Sequence, residues 1–349
     1  MYQLATIGLS VLALFWLVDV FIIERQRLAS ARGQLNAGVE AAAVAPLLRR
    51  KPWTYPTQLL GFPLIVLVLW LAIQESRDLA LLLIVGTLYA GLVTLLNQLL
   101  MKRLRRDISA RLGDEQLQRL THTDSSMVEY ARSFFPVLAL VVVLRSFLFE
   151  PYQIPSESMR PTLLVGDFLL VNKYTYGVRL PVIKTELFPV SEPAHGDVMV
   201  FTPPHRNNQN YIKRVIARGG DHLRYDYQTR DFWVNGELVE RELVEQRTER
   251  GRAISVYEES HGEHRYEVYQ FDNSPTPNWS PLDMQVPEGH YFVVGDNRDN
   301  SLDSRFWQQQ YGTSPFVDGR ELQGKAVLRW MFWPSLFSLP SFSRFGLIH

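Results

Sequence analysis

The chain has 349 residues, with 36 basic and 36 acidic side chains that cancel to no net charge, and a pI near 7.1. That balance leaves no global basic field, so nucleic acid is not an expected partner. With no cysteine, disulfides, thiolate catalysis and cysteine-type zinc sites are excluded, and nothing else in the composition implies a metal or cofactor.

Apolar stretches occupy 4–23, 59–73, 79–101 and 134–149. At ~1.5 Å rise per residue the first and third cross a ~30 Å hydrocarbon core, while the second and fourth reach only ~22–24 Å and need help from their flanks. For the short two, a buried or interfacial helix is the alternative reading. The first stretch lacks a basic leader and runs into Ile23-Glu24-Arg25 rather than a small-x-small site, so it reads as an uncleaved anchor. Cations then fix orientation. Arg25, Arg27, Arg32, Arg49, Arg50 and Lys51 lie in the first connection, and Lys102, Arg103, Arg105, Arg106, Arg111, Arg119 and Arg132 in the third. Both connections are expected on the cytoplasmic side, which puts the amino terminus and everything after Glu150 outside.

Beyond Glu150 the pattern changes to short alternating or β-branched runs broken by Gly, Pro and Asn. Strands are expected at 167–172, 197–201, 211–217, 231–234, 290–294 and 325–331, with Asn235-Gly236 as a hairpin turn. The expected architecture is therefore mainly β: a membrane anchor over 1–150, then an antiparallel β domain from 151–222 and 287–349, with a smaller β domain, 223–286, inserted. The aromatic run Trp330-Met331-Phe332-Trp333 and the tail after it suit either a bilayer interface or a core.

Three blocks carry the chemistry: Pro155-Ser156-Glu157-Ser158-Met159-Arg160-Pro161, Tyr211-Ile212-Lys213-Arg214-Val215, and Gly295-Asp296-Asn297-Arg298-Asp299-Asn300-Ser301-Leu302-Asp303-Ser304-Arg305. A serine hydroxyl needs a base to become a nucleophile. None of the eight histidines sits in a recognisable triad setting, although a Ser-His-Asp arrangement occurs in any chain order and stays open. Lysine serves as base only when burial depresses its pKa, and the apolar neighbours of Lys213 suit that, even though a strand lysine is ordinarily a solvated one.

Together the blocks resemble bacterial type I signal peptidases. The resemblance implies Ser158 as nucleophile, Lys213 as general base, and Ser156 as a hydroxyl donor to the oxyanion beside the Ser158 N–H. It also implies Ser301 as the group that orients the Lys213 amine, and Asp303 with Arg305 as the support beneath. Arg214 and Asp296 are expected to form a further ion pair. Glu157 departs from members that carry glycine there. Tyr152, Ile154, Leu163, Tyr211 and Ile212 are expected to line a pocket that admits alanine, with ordinary core as the alternative. The implied partners are signal-peptide-bearing preproteins, the lipid bilayer and the protein-export translocon. The implied location is the bacterial inner membrane, multi-pass, with the catalytic domain on its outer side. Two rivals remain: a Ser-Lys peptidase of the same fold acting on another membrane-bound peptide, and an inactive β domain that binds extended peptides.

Overall fold

The computed structural model describes residues 2–48, 60, 63–68, 70–71, 79–112, 126–180, 185–206, 209–262, 264–335 and 338–348. The chain divides into two compact units, Met1–Val143 and Leu144–His349.

The first unit is helical. Helix α1 (Tyr2–Val18) passes through a π-helical turn at Asp19–Glu24 into α2 (Arg25–Asn36), and α3 (Ala41–Leu48) follows. Helix α4 (Leu79–Leu96) likewise continues through a π turn, Asn97–Met101, into α5 (Lys102–Leu112), and α6 (Ser126–Val143) closes the unit. Three of the described helical runs are long and apolar enough to cross a membrane: Gln3–Asn36, Leu81–Leu112 and Val128–Leu148. Of the stretch expected at 59–73, residues 60, 63–68, 70 and 71 are described and are helical, and the others lie outside the described residues. The first and second runs exceed their apolar cores because α2 and α5 extend them. Leu28, Ala31 and Leu35 join Leu104, Ile108 and Leu112 in one buried cluster, and Arg32–Asp107 and Arg105–Glu24 pair at 2.8 and 3.1 Å.

The second unit is mainly antiparallel β. Its strands are β1 (Phe149–Gln153), β2 (Asp167–Asn172), β3 (Val198–Phe201), β4 (Tyr211–Arg218), β5 (His222–Tyr225), β6 (Phe232–Val234), β7 (Glu240–Glu249), β8 (Arg252–His261), β9 (His264–Phe271), β10 (Leu282–Gln285), β11 (His290–Val294) and β12 (Leu322–Phe332). The main sheet runs β1-β2-β12-β3-β4-β11 and ends on the short strand Val317–Asp318, with Gly346–Leu347 paired to β12. Strand β4 is central, with Lys213 opposite Met199 of β3 and Val215 opposite Val293 of β11. That explains its near-continuous burial, whereas β2 alternates buried and half-buried residues as a strand covered on one face does.

Asn235 and Gly236 both take positive φ, 55° and 85°. They close the hairpin between β6 and Glu237–Leu238 as the dipeptide predicts. Residues 223–286 do form β structure, but part of them shares the main core: Leu223, Tyr225 and Phe232 pack in one cluster with Ile216, Phe292 and Val294. The rest, β7–β9, is a three-stranded sheet with its own small cluster of Ile254, Val256 and Tyr269. A short helix, α7 (Trp307–Tyr311), seats the fully buried Trp307.

Candidate active site

Ser158 sits in the turn between β1 and β2, half-buried. Lys213 reaches it from β4, with Nζ 2.5 Å from Ser158 Oγ. Because β3 and β11 flank β4, the lysine is only 3% exposed. Burial pulls its pKa down to about 8; Asp303 and Asp296 oppose the shift, and Arg305 adds to it. Desolvation wins because, among the described residues, no carboxylate touches the amine directly, so the neutral form becomes accessible near neutral pH.

Ser156 Oγ lies 3.4 Å from Ser158 Oγ and is exposed. The Ser158 carbonyl accepts from the Asn297 N–H at 3.0 Å, and Asn297 Nδ2 donates to the Glu157 carbonyl at 3.0 Å. Two consecutive carbonyls of the serine turn are thus fixed by one residue of the third block. Gly295 lies against the same turn: a Cβ there would stand 2.2 Å from Ser301 Oγ and 2.4 Å from the Ser158 carbonyl oxygen. Only a residue without a side chain lets the two loops approach this closely.

Beneath lies a fully buried carboxylate. Asp303 Oδ2 accepts from the Gly295 N–H at 3.0 Å, Ser301 Oγ at 2.6 Å and Arg305 Nη2 at 2.9 Å. Arg305 Nε closes the fork on Oδ1 at 2.9 Å. Burial pushes the Asp303 carboxyl up, but Arg305 and these donors outweigh it and hold the carboxyl below its ordinary value. Ser301 therefore gives its one proton to Asp303, and no hydrogen bond joins it to Lys213. A charged carboxylate is the stronger acceptor, and the hydroxyl keeps its lone pairs. Arg214 and Asp296 form the expected pair, bidentate at 2.8 and 2.7 Å and buried. Thr162 donates to Asp296 Oδ2 at 2.6 Å and so ties this pair to the serine segment.

The five expected pocket residues do not form one cluster. Ile154 and Leu163 are buried with Met159, Leu169, Val198 and Ala326, and Ile212 packs partly exposed against them. Tyr211 packs on a neighbouring cluster that holds Phe201 and Trp307. The Tyr152 hydroxyl donates to Glu150 at 3.2 Å and accepts from Asn210 at 3.1 Å.

Support also comes from the β7–β9 sheet, which sequence alone does not connect to the site. Glu157, between the two serines, accepts from Arg250 Nη1 at 2.5 Å, and Arg160 pairs with Glu249. Both partners stand at the β7–β8 hairpin tip, beside a cavity of about 350 Å³ that reaches Asn297. From β9, the Tyr269 N–H donates to the Asp296 carbonyl at 2.8 Å, and the Tyr266 ring lies 3.7 Å under the Arg214 guanidinium. Glu259 of β8 forms a buried fork with Arg298. The third block is thus held between two sheets.

A family model described as signal peptidase, peptidase S26, matches residues 127–333. The chain belongs to this family. A signal peptidase I of Pseudomonas aeruginosa is 44% identical over 284 residues, covering 77% of this chain and 98% of the relative. One from Pseudomonas fluorescens is 43% identical over 288 residues, with 78% and 99% covered. One from Aquifex aeolicus is 33% identical over 232 residues, with 56% and 80% covered. Membership makes the chain a peptidase of the signal peptidase class, and three of its described helical runs are long and apolar enough to span a membrane.

Proposed function

We propose that this protein is a membrane-bound signal peptidase I, a serine endopeptidase that removes signal peptides from exported preproteins after small-x-small sites, with Ser158 as nucleophile and Lys213 as base. The observation that carries the reading is the 2.5 Å contact between Ser158 Oγ and a buried Lys213 whose pKa falls to about 8.

Neutral Nζ takes the Ser158 proton as Oγ attacks the scissile carbonyl carbon, and the carbonyl π pair moves onto oxygen. The Ser158 N–H and the Ser156 hydroxyl then stabilise that oxyanion; removing such a donor costs ~3–4 kcal/mol of transition-state stabilisation. When the pair returns, the C–N bond breaks and the Lys213 ammonium protonates the leaving amine. Water, deprotonated by the same amine, hydrolyses the acyl ester and restores Ser158. Asp303, locked by Arg305 and Ser301, fixes the loop under the lysine without touching its proton. Strand β1 ends the main sheet, pairing only with β2 among the described residues, and an open edge suits strand addition by an extended substrate. Ile154, Leu163 and Ile212 form the apolar wall behind it. The excess of cations in the first and third connections supports a position of this domain on the outer side of the inner membrane.

The test is cleavage of a precursor with an Ala-x-Ala site by the purified full chain. Wild type is expected to release the signal peptide at that site. Ser158→Ala, Lys213→Ala and Lys213→Arg are expected to be inactive while folded, since a guanidinium keeps its proton. Substantial turnover by Lys213→Ala overturns the mechanism; an inactive wild type toward this precursor, with activity on another membrane peptide, overturns the substrate assignment.

A further inference from the structure

Beside the serine turn, the second unit holds a cavity of about 350 Å³, lined by Glu157, Arg160, Ile254, Tyr269, Phe271 and Asn297 among others. The turn itself divides two environments. Ile154, Met159 and Leu163 pack into the apolar wall with Val198 and Ala326, whereas Glu157 and Arg160 line the cavity, and the two sets share no residue. Ser158 lies between Glu157 and Met159, at the boundary of the two. Its carbonyl accepts from the N–H of Asn297, a lining residue, at 3.0 Å.

What this lining leaves unmet is apolar contact and hydrogen bonding, not charge. Glu157 accepts from Arg250 at 2.5 Å and Arg160 pairs with Glu249, so these charges are matched within the rim; Arg252 is exposed and lies over the Phe271 ring at 5.3 Å. The floor comes from the β7–β9 sheet. Ile254 and Tyr269 are 5% and 3% exposed, and Phe271 packs against them. Two buried polar atoms of the lining side chains form no hydrogen bond with the described residues: Asn297 Oδ1, on a residue only 3% exposed, and Arg160 Nε. One is an acceptor and the other a donor, the complement of the N–H and C=O of a peptide unit, and leaving either unmet is costly.

We propose that this cavity is the leaving-side subsite: it holds the residues directly after the scissile bond as an extended segment, with one apolar side chain on the Ile254–Phe271 floor. The inference rests on the roles proposed above for Ser158 and Lys213. A chain whose acyl side runs along the Ile154–Leu163 wall and whose scissile carbonyl meets Ser158 Oγ continues past the turn to the side that Glu157 and Arg160 line. There a main-chain N–H donates to Asn297 Oδ1, and a main-chain carbonyl accepts from Arg160 Nε. The segment departs with the leaving amine, so its contacts act on acylation, which kcat/KM reads, and not on hydrolysis of the acyl ester.

The experiment gives the purified full chain two kinds of substrate with the same acyl segment ending in Ala-x-Ala. One stops in a methyl ester after the last alanine, and the other continues as peptide for about three residues, the reach of a cavity this size. Wild type is expected to cleave both, with kcat/KM at least about tenfold higher when one leaving-side position carries leucine than when all carry serine, the effect of burying one such side chain. Ile254→Trp fills the floor and is expected to erase that preference, read as the ratio of peptide to ester cleavage. Phe271→Ala removes part of the floor and reads the same loss if the tryptophan variant folds poorly. Val256→Ala, in the same sheet cluster but outside the lining, is expected to keep the preference. N-methylation of the leaving-side amides beyond the scissile bond is expected to cost about fivefold at one position. No leucine preference at any position, an unchanged ratio in both floor variants, or no loss on N-methylation would each overturn the proposal while ester cleavage leaves the Ser158 chemistry standing. A wild type that cleaves neither substrate would overturn both.

Discussion

Replacing Lys213 by methionine should make the protein more stable at neutral pH while abolishing its activity. Burial moves the lysine from 10.5 to about 8. At ~1.36 kcal/mol per pKa unit, holding the ammonium in that site costs about 3 kcal/mol. The sign follows from proton counts. Between pH 8 and 10.5 the unfolded chain binds the lysine proton and the folded chain does not, so the penalty is fully present below pH 8 and is relieved as pH rises toward 10.5. Methionine matches the lysine stem and carries no charge, so Lys213→Met should gain up to ~3 kcal/mol at pH 7, and its advantage over wild type should shrink across that window. Denaturant unfolding of both proteins at intervals from pH 7 to 10 measures the difference, in which titrations common to both cancel. The same pKa predicts the kinetics: about one-tenth of the amine is neutral at pH 7 and half at pH 8, so wild-type kcat/KM should climb about tenfold from pH 7 to 9 and then level. A variant that is less stable at pH 7 by a pH-independent amount, with kcat/KM still rising near pH 10, would refute the claim that burial sets this pKa.

Ser156→Ala should lower kcat about a hundredfold or more with little change in KM, because its hydroxyl acts on charge that appears only in the transition state; a rise in KM alone would make it a substrate-binding group. Gly295→Ala places a methyl 2.2 Å from Ser301 Oγ and 2.4 Å from the Ser158 carbonyl oxygen, so it should lose ~2 kcal/mol or more of stability along with activity; wild-type melting and turnover would show that the loops have room to part. Glu249→Gln releases Arg160 from the hairpin tip and should lower kcat several-fold by loosening the serine turn, with the melting temperature and pH profile unchanged; a variant altered only in stability would reduce the contact to scaffolding.

The parts of the site legible in the sequence are those written within a few residues of one another. The Ser156 and Ser158 hydroxyls are two positions apart, and Asp303 meets Ser301 and Arg305 each across two residues. Spacing this short leaves few alternative partners. Strands β2 and β11 were legible because one-sided or full burial imposes its period on the residue pattern. The Lys213–Ser158 contact spans 55 residues and was reachable only through resemblance, since strand periodicity does not say which lysine is buried.

The supports from β7–β9 were not legible at all, for a physical reason. That segment is rich in Glu and Arg, so every acid has several sequence-compatible cations, and local pattern cannot select Arg298 for Glu259 or Arg160 for Glu249. Selection comes from the register of a three-stranded sheet whose first strand is almost wholly exposed, where hydrophobic alternation, the usual marker of register, is absent. An exposed charged strand reads as a solvated edge, yet its tip carries Glu249 and Arg250 to either side of the serine turn. Glu157 makes sense only with that tip in place. A carboxylate between the two hydroxyls proposed to act in catalysis would oppose a developing oxyanion, and the Arg250 guanidinium at 2.5 Å balances its charge.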